Sequence, residues 1–428
     1  MTKRITSVGA SFGSSLRALR KERGMSLGDL ARLVNYSRSH LSRVETGKKQ
    51  PAEGLVRLCD EALGAQGSLL ALAVRSPRRR SGRTSPVQLP RSIADFTGRE
   101  ETLEQLDAML AEVHRQRDGQ AVATVVEGAA GVGKTATVVH WSHGVRSHFP
   151  DGVLFADLQG FRTDGQPAGS RQVLRSFLTA LGADPGYLSG ELHDLAASYR
   201  SLLTGKRVLI VLDNAAGAEQ VRPLLPASPQ CMAVITSRSR LTGLVTRDGA
   251  YRITVPYLSE GECTRLLSRL AGTPLPLERN SCCACRYLPL TVRIAVEQRE
   301  MMDGLALCER CGSEALLKYL CTTHDETSDM YTALSGSYRH LQPEAARGLR
   351  LLGGCAGYVV TVTEAAHILG SDIVRAQRVL DALADIHLLH RSSREEYRFE
   401  KTVKGFAREL AGHDTHLVTY AGQGAGAC

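Results

Sequence analysis

One stretch, Gly128-Ala129-Ala130-Gly131-Val132-Gly133-Lys134-Thr135, constrains what this chain can fold into more than any other. It follows the apolar run Val122-Ala123-Thr124-Val125-Val126 and precedes a helix-compatible segment, so it reads as strand, phosphate-binding loop, helix. Glycines let the backbone turn tightly, so that successive N–H groups point at phosphate oxygens, and the helix start adds its positive dipole end. In such a loop Gly128, Gly131, Gly133 and Ala136 bind the phosphates, Lys134 reaches the outer ones and Thr135 holds Mg²⁺. The plain alternative, a glycine-rich turn without a ligand, leaves the preceding strand unexplained.

At 428 residues the chain has room for about three domains, each with its own core. No apolar run approaches the ~18 residues of a membrane span. The start Met1-Thr2-Lys3-Arg4-Ile5 is not followed by an apolar signal core. A cytoplasmic, nucleoid-associated protein that does not enter a membrane is therefore expected. The formal charge of +9 favours a polyanionic partner. Eleven cysteines in that compartment read as reduced thiols or metal ligands, not a disulfide framework.

Residues 11–73 show helix-period apolar positions: Leu16, Leu19, Leu27, Leu30, Leu33, Leu41, Val44, Leu55, Leu58 and Leu63. Ser26 suits the N-cap of a helix through Leu33, and Ser37 that of the next, across the turn Val34-Asn35-Tyr36. The second helix turns Leu41 and Val44 inward and leaves small polar and basic side chains outward, a face that fits a major groove. Leu41-Ser42-Arg43-Val44-Glu45-Thr46-Gly47-Lys48-Lys49-Gln50-Pro51, with Ser26-Leu27-Gly28-Asp29-Leu30-Ala31 before it, resembles the XRE family of repressor-type helix-turn-helix domains. That resemblance makes Ser37, Arg38, Ser39, His40 and Arg43 candidates for base and phosphate contact on double-stranded DNA, with Lys48 and Lys49 near the backbone. An ordinary solvated helix face is the rival reading. Residues 74–94, with Arg78-Arg79-Arg80 and no acidic residue before Pro86, read as a basic flexible linker.

Residues 95–256 alternate apolar strand runs with helical stretches, which predicts a parallel sheet flanked by helices. Strands are expected at Val153–Leu158, Arg207–Asn214 and Met232–Thr236. The second of these delivers Asp213 to the Mg²⁺ region, and the third leads into Arg238, a cation placed to sense a γ-phosphate. Lys134, Asp213 and Arg238 are thus the candidate catalytic groups. Asn214 stands where vigorous ATPases often carry a second acid, so turnover is expected to be slow at most.

These motifs together resemble the NB-ARC class of STAND ATPases, in the form found in bacterial transcriptional regulators. Besides the phosphate loop, Leu212-Asp213-Asn214-Ala215 and Thr236-Ser237-Arg238 match, as does Phe96-Thr97-Gly98-Arg99-Glu100, which in the family lies beside the adenine. The resemblance implies bound ATP or ADP with Mg²⁺ and puts Phe96 and Arg99 at the base. Tyr287-Leu288-Pro289-Leu290 is similar to the family's Gly-Leu-Pro-Leu motif with Tyr in place of Gly, which implies that Pro289 packs near the base. Residues 257–333 correspond to the family's helical subdomain and 334–410 to its winged helix, a lid over the nucleotide. After Tyr397-Arg398-Phe399 the family usually carries His-Asp, the His holding the ADP β-phosphate; here Glu400-Lys401 stands instead. Residues 411–428 read as a disordered tail.

Two readings stay open in the cysteine-rich arm. Cys308-x-x-Cys311 and Cys321-x-x-His324 suit a tetrahedral zinc site if the pairs meet; free thiols are the rival. The fold expected is multidomain: an all-α helix-turn-helix bundle, an α/β P-loop NTPase with a parallel sheet, a helical subdomain and a winged helix. The function expected is a transcriptional regulator whose ATP/ADP state controls self-association and operator binding, as a homo-oligomer in the ATP state. The alternative is a slow ATPase of a signalling or defence assembly, with the helix-turn-helix autoregulatory or used for docking. No 34- or 40-residue repeat is visible, so a signal is expected through a separate sensor protein, through the nucleotide itself, or not at all.

Overall fold

The computed structural model describes residues 12–34, 36–46, 51, 53–70, 85–115, 119–162, 165–272, 288–297, 317, 320, 329–355 and 357–423. They fall into two compact units, 1–84 and 85–428.

The first unit packs α1 (Phe12–Glu22), α2 (Leu27–Leu33), α3 (Arg38–Glu45) and α4 (Glu53–Ala62) around fully buried Leu16, Leu30, Leu41, Leu55 and Leu63. Ser26 caps α2 in a reciprocal box: its Oγ accepts from Asp29 N at 3.2 Å, and Asp29 Oδ2 accepts from Ser26 N at 3.0 Å. Ser37 Oγ accepts from His40 N at the start of α3. A buried bidentate pair, Arg20 to Glu45 at 2.6 and 2.9 Å, ties α1 to the end of α3. Leu33 and Leu58 depart from the apolar stripe and face outward, 58% and 41% exposed. The seam is already filled by Leu30 and Val34 on either side of Leu33, and by Leu55 and Cys59 around Leu58.

The second unit opens with α5 (Glu100–Arg115) and a five-stranded sheet: β1 (Val122–Glu127), β2 (Gly152–Asp157), β3 (Val208–Ala215), β4 (Met232–Ser237) and β5 (Tyr251–Thr254). The order is β2-β3-β4-β1-β5 and every pairing is parallel. β1 and β4 are buried along their whole length, because helices cover both faces. On one face Val125, Ile210 and Ile235 meet Phe177 of α7 (Ser170–Ala180) and Tyr199 of α8 (Leu192–Leu203), with α6 (Lys134–Val145) opposite. There Val126, Val211 and Val234 meet Leu106, Val138 and Trp141, and the indole Nε1 donates to Asp107 Oδ1 at 2.8 Å. Two short helices, α9 (Ala218–Val221) and α10 (Thr242–Asp248), flank β4 in sequence.

Of residues 257–333, α11 (Glu260–Ala271), α12 (Pro289–Glu297) and the start of α13 (Met330–Arg339) are described. Then come α14 (Pro343–Gly353), β6 (Val359–Thr361), α15 (Val362–Leu369), α16 (Ile373–Asp385), β7 (His390–Arg391), β8 (Glu396–Arg398) and α17 (Lys401–Gln423). The antiparallel order β6-β8-β7 beside α14, α15 and α16 is a winged helix, cored by Leu349, Leu380, Tyr397 and Phe406.

Two boundaries differ from those expected. Ser85 to Gln88 is no tether: Val87 bridges Val153 in parallel, Val153 N donates to Pro86 O at 2.7 Å, and Gln88 N donates to Val153 O at 3.1 Å. β2 is the sheet's edge strand, and this strap satisfies backbone groups an open edge would leave unpaired. The tail expected from Ala411 is helical as far as Gln423, as a continuation of α17, and no proline after Phe399 interrupts it. Residues 74–84 lie outside the described residues, as do 424–428. Among the described residues no helix is long and apolar enough to cross a membrane.

Candidate functional sites

β1 ends at Glu127, and the loop that follows turns at Gly133, whose φ of +95° no side-chain-bearing residue adopts without strain, straight into α6. Lys134 is the first residue of that helix. Its ammonium donates to the carbonyls of Gly128 and Ala129, both at 2.8 Å. Burial foremost, then the charge of Arg238, pulls the Lys134 pKa down to about 7; Asp213 and Glu127 act the other way. A cleft of about 510 Å³ opens here, lined by Gly131, Gly133, Lys134, Thr135 and Ala136. Gly128 does not line it; it starts the loop and holds Lys134 through its carbonyl.

Thr135, Asp213 and Thr236 meet at one oxygen. Thr135 Oγ1 donates to Asp213 Oδ1 at 2.8 Å and Thr236 Oγ1 donates to the same atom at 2.5 Å. Burial and the neighbouring Asp157 carboxylate raise the Asp213 pKa against the two hydroxyls and Lys134. A carboxylate so placed gains from a cation, and a hydroxyl and carboxylate in contact are the oxygen donors Mg²⁺ takes. The residues fit that ion. Asp157 was missed by sequence reasoning, although it ends an apolar run as Asp213 does; the register sets the two side by side at the ends of β2 and β3. Asn214 adopts φ +57° where the β3–β4 register slips, its N–H on Thr236 Oγ1 and its carbonyl accepting from Gly160 N.

Phe96, Arg99 and Pro289 all line the cleft, but Arg99 serves the loop. Its buried guanidinium donates to Val132 O at 2.7 Å and to Pro256 O, while its backbone N–H donates to Glu262 Oε1 at 2.6 Å. Desolvation brings its pKa down to about 10. Phe96 stacks on His140 with centroids 4.1 Å apart. Pro289 and Leu290 press on the loop, where Leu290 N donates to Gly131 O at 3.3 Å. Asp95 and Arg293, also on the cleft, form an ion pair at 2.7 Å that the sequence did not announce.

Arg238 lines the same cleft, yet its Nη1 donates to Ala333 O and, at 3.5 Å, to Ser337 Oγ of α13. Two residues on, Arg240 N donates to Asp385 O at 3.1 Å, and its guanidinium lies 3.9 Å from both Asp385 and Glu127. Behind the loop, Glu400, His387, Tyr257, Ser337 and Ala129 border a small cavity. Burial drives the Glu400 carboxyl upward. It also drives the His387 imidazole down to about 3, with Lys134 adding to the effect. His387 holds φ +57° and a buried Nε2 without a hydrogen-bond partner.

In the first unit Ser37, Arg38, Ser39 and Arg43 are exposed on α3, on the side away from Leu41 and Val44. His40 differs: it is partly buried, its ring edge against Tyr36 at 5.1 Å. Lys48 and Lys49 lie outside the described residues, as do Cys308, Cys311, Cys321, His324 and Tyr287. Among the described residues no group of three or more His, Cys, Asp or Glu is placed to hold a metal.

Against known families, residues 11–73 match a helix-turn-helix domain and residues 99–274 an NB-ARC domain. Two curated relatives share the name Regulatory protein AfsR. The one from Streptomyces coelicolor is 34% identical over 371 residues, covering 84% of this chain and 37% of its own length. The one from Streptomyces griseus is 36% identical over 338 residues, covering 77% and 34%. This chain therefore spans about a third of the length of those relatives. Among solved structures, a Walker-type ATPase of Pyrococcus abyssi superposes with a TM-score of 0.51 at 14% identity, over 74% of this chain and 97% of that one, a likeness of fold alone.

Proposed function

We propose, for a chain that joins a helix-turn-helix domain to an NB-ARC domain, the role of a DNA-binding transcriptional regulator whose cleft holds ATP or ADP with Mg²⁺. The nucleotide state sets self-association, and self-association sets operator binding. One observation carries this reading: the same chain presents an outward polar helix, α3, and a phosphate cleft whose wall, Arg238, is hydrogen-bonded to α13, the helix that leads into the winged helix. In this reading Lys134 meets the outer phosphates, Thr135 and Asp213 hold Mg²⁺, and Arg238 meets the γ-phosphate. Bound Mg²⁺ neutralises charge on the phosphate oxygens. Phe96 and Pro289 border the base, while Arg99 keeps the loop in shape. Ser37, Arg38, Ser39, Arg43 and Lys48 contact DNA, and paired copies gain avidity for a repeated site. Hydrolysis is slow at most, because Asn214 stands where a second acid would polarise the attacking water.

The test is DNA selection from a random pool at fixed salt, with ADP, with a slowly hydrolysed ATP analogue, and with Lys134→Ala. A motif that tightens at least about tenfold with the analogue, and not in Lys134→Ala, is the expected result. A motif indifferent to nucleotide leaves a constitutive DNA binder. No motif at all moves the function to a signalling or defence assembly.

A further inference from the structure

Asp157 is a carboxylate that the proposed function leaves without a task. It ends β2 exposed in the cleft, is the register partner of Asp213, and lines the same wall. Its Oδ1 accepts from Gln159 N at 2.9 Å, and among the described residues it makes no ion pair. The hydroxyls of Thr135 and Thr236 both go to Asp213 Oδ1 and leave Asp157 outside their cluster. The turn that carries it is fixed to the end of β3. Leu158 N donates to Asp213 O at 2.8 Å and Gly160 N to Asn214 O at 2.7 Å, with Gln159 between them at φ +53°. The approach is close, since a Cβ on Gly160 would lie 2.3 Å from Ala216 N. Asn214, next along β3, lines the cleft as well. A carboxylate beside a polyphosphate repels it unless something between the two donates to the carboxylate, and a water does so.

We propose that Asp157 activates the water that hydrolyses a nucleoside triphosphate in this cleft, so that the acid missing at Asn214 is supplied by the neighbouring strand. The proposal deepens the nucleotide reading above and rests on it. In-line transfer puts the attacking oxygen on the far side of the terminal phosphorus from the diphosphate leaving group. The sheet order runs from the phosphate loop after β1 across β4 to β3 and then β2, so Asp157 is the outermost of these groups from the loop. There it accepts a proton from the water as the water oxygen bonds to the terminal phosphorus. The bond from that phosphorus to the bridging oxygen breaks, and its electron pair leaves with the nucleoside diphosphate. Inorganic phosphate is released, and the proton on Asp157 passes to solvent. The Asn214 amide takes no proton, but it holds the same water by a hydrogen bond.

The test uses the full chain with Mg²⁺ and reads two quantities: phosphate release from ATP in a single turnover, and calorimetric affinity for a slowly hydrolysed ATP analogue. Asp157→Asn keeps an oxygen for Gln159 N, so the turn is retained. It is expected to slow release roughly a hundredfold, the usual worth of a general base. Its affinity for the analogue stays within about threefold of the unsubstituted chain, a difference under 1 kcal/mol. Asp213→Asn loses affinity as well, because it removes a Mg²⁺ ligand. Adding Asn214→Asp to Asp157→Asn puts an acid back beside the water, on a backbone that Asp tolerates, and recovers at least about a tenth of the lost rate. A structural role for Asp157 gives no such recovery, so its absence overturns the proposal. Unchanged release in Asp157→Asn overturns it too, as does a chain that binds the analogue yet releases phosphate no faster than Lys134→Ala. Affinity lost in Asp157→Asn as in Asp213→Asn makes Asp157 a Mg²⁺ ligand instead. A chain that binds neither ATP nor ADP overturns the proposed function and this role with it.

Discussion

Lys134 is an ammonium that its surroundings have half persuaded to give up a proton. Burial holds its pKa near 7, far below that of a free lysine, and a bound polyphosphate favours the charged form. Nucleotide binding is therefore expected to take up more protons at pH 8 than at pH 6. Calorimetry in buffers of different ionisation enthalpy reads this directly, and heats independent of buffer would refute it. The sign for stability follows: the native pKa lies below the unfolded value, the unfolded chain binds more protons from about pH 7 to 10.5, and stability rises with pH across that window. His387 works on the acid side. Its pKa of about 3 lies below the unfolded ~6.5, so the unfolded chain takes up a proton that the native one refuses, and stability falls as pH drops below 6.5. The loss is about 2 kcal/mol at pH 5. Asn tolerates the left-handed backbone there, so His387→Asn is expected to lose less melting temperature between pH 7 and pH 5 than the unsubstituted chain.

At the scale of elements, the strap over β2 moves a boundary. A fragment of residues 85–428 is expected to melt about 5 °C or more above one of residues 95–428, and to stay monodisperse where the shorter one, its edge strand bare, associates. Size exclusion and thermal melts decide it; identical behaviour would make the strap an ornament. The strands were legible in the sequence because parallel strands buried on both faces are apolar at every position, as Val208 to Leu212 shows. The strap was not: Val87 and Gln88 sit in a run whose arginines and prolines announce solvent, and only a partner distant in sequence, Val153, makes them part of the sheet. The site divides in the same way. Lys134, Thr135 and Asp213 follow from local spacing, and the structure brings them together. Asp157, the Asp95–Arg293 pair and the seat of Arg238 on α13 depend on tertiary neighbours that no local pattern records.

For the whole molecule, the proposed function gives the two units, 1–84 and 85–428, one regulatory outcome, and the Lys134→Ala arm of the DNA selection asks whether they share it. Under the proposed function, a substitution in the second unit is expected to alter what the first unit selects. One aromatic residue makes the upstream event visible without any label. The chain contains a single tryptophan, Trp141, buried on the helix that begins at Lys134 and hydrogen-bonded to Asp107. Light absorbed at the red edge of the protein's ultraviolet band is thus emitted from one known address, two turns along the helix from the phosphate loop. Any change in the colour or lifetime of that glow on adding a nucleotide is a report from the cleft's own scaffold.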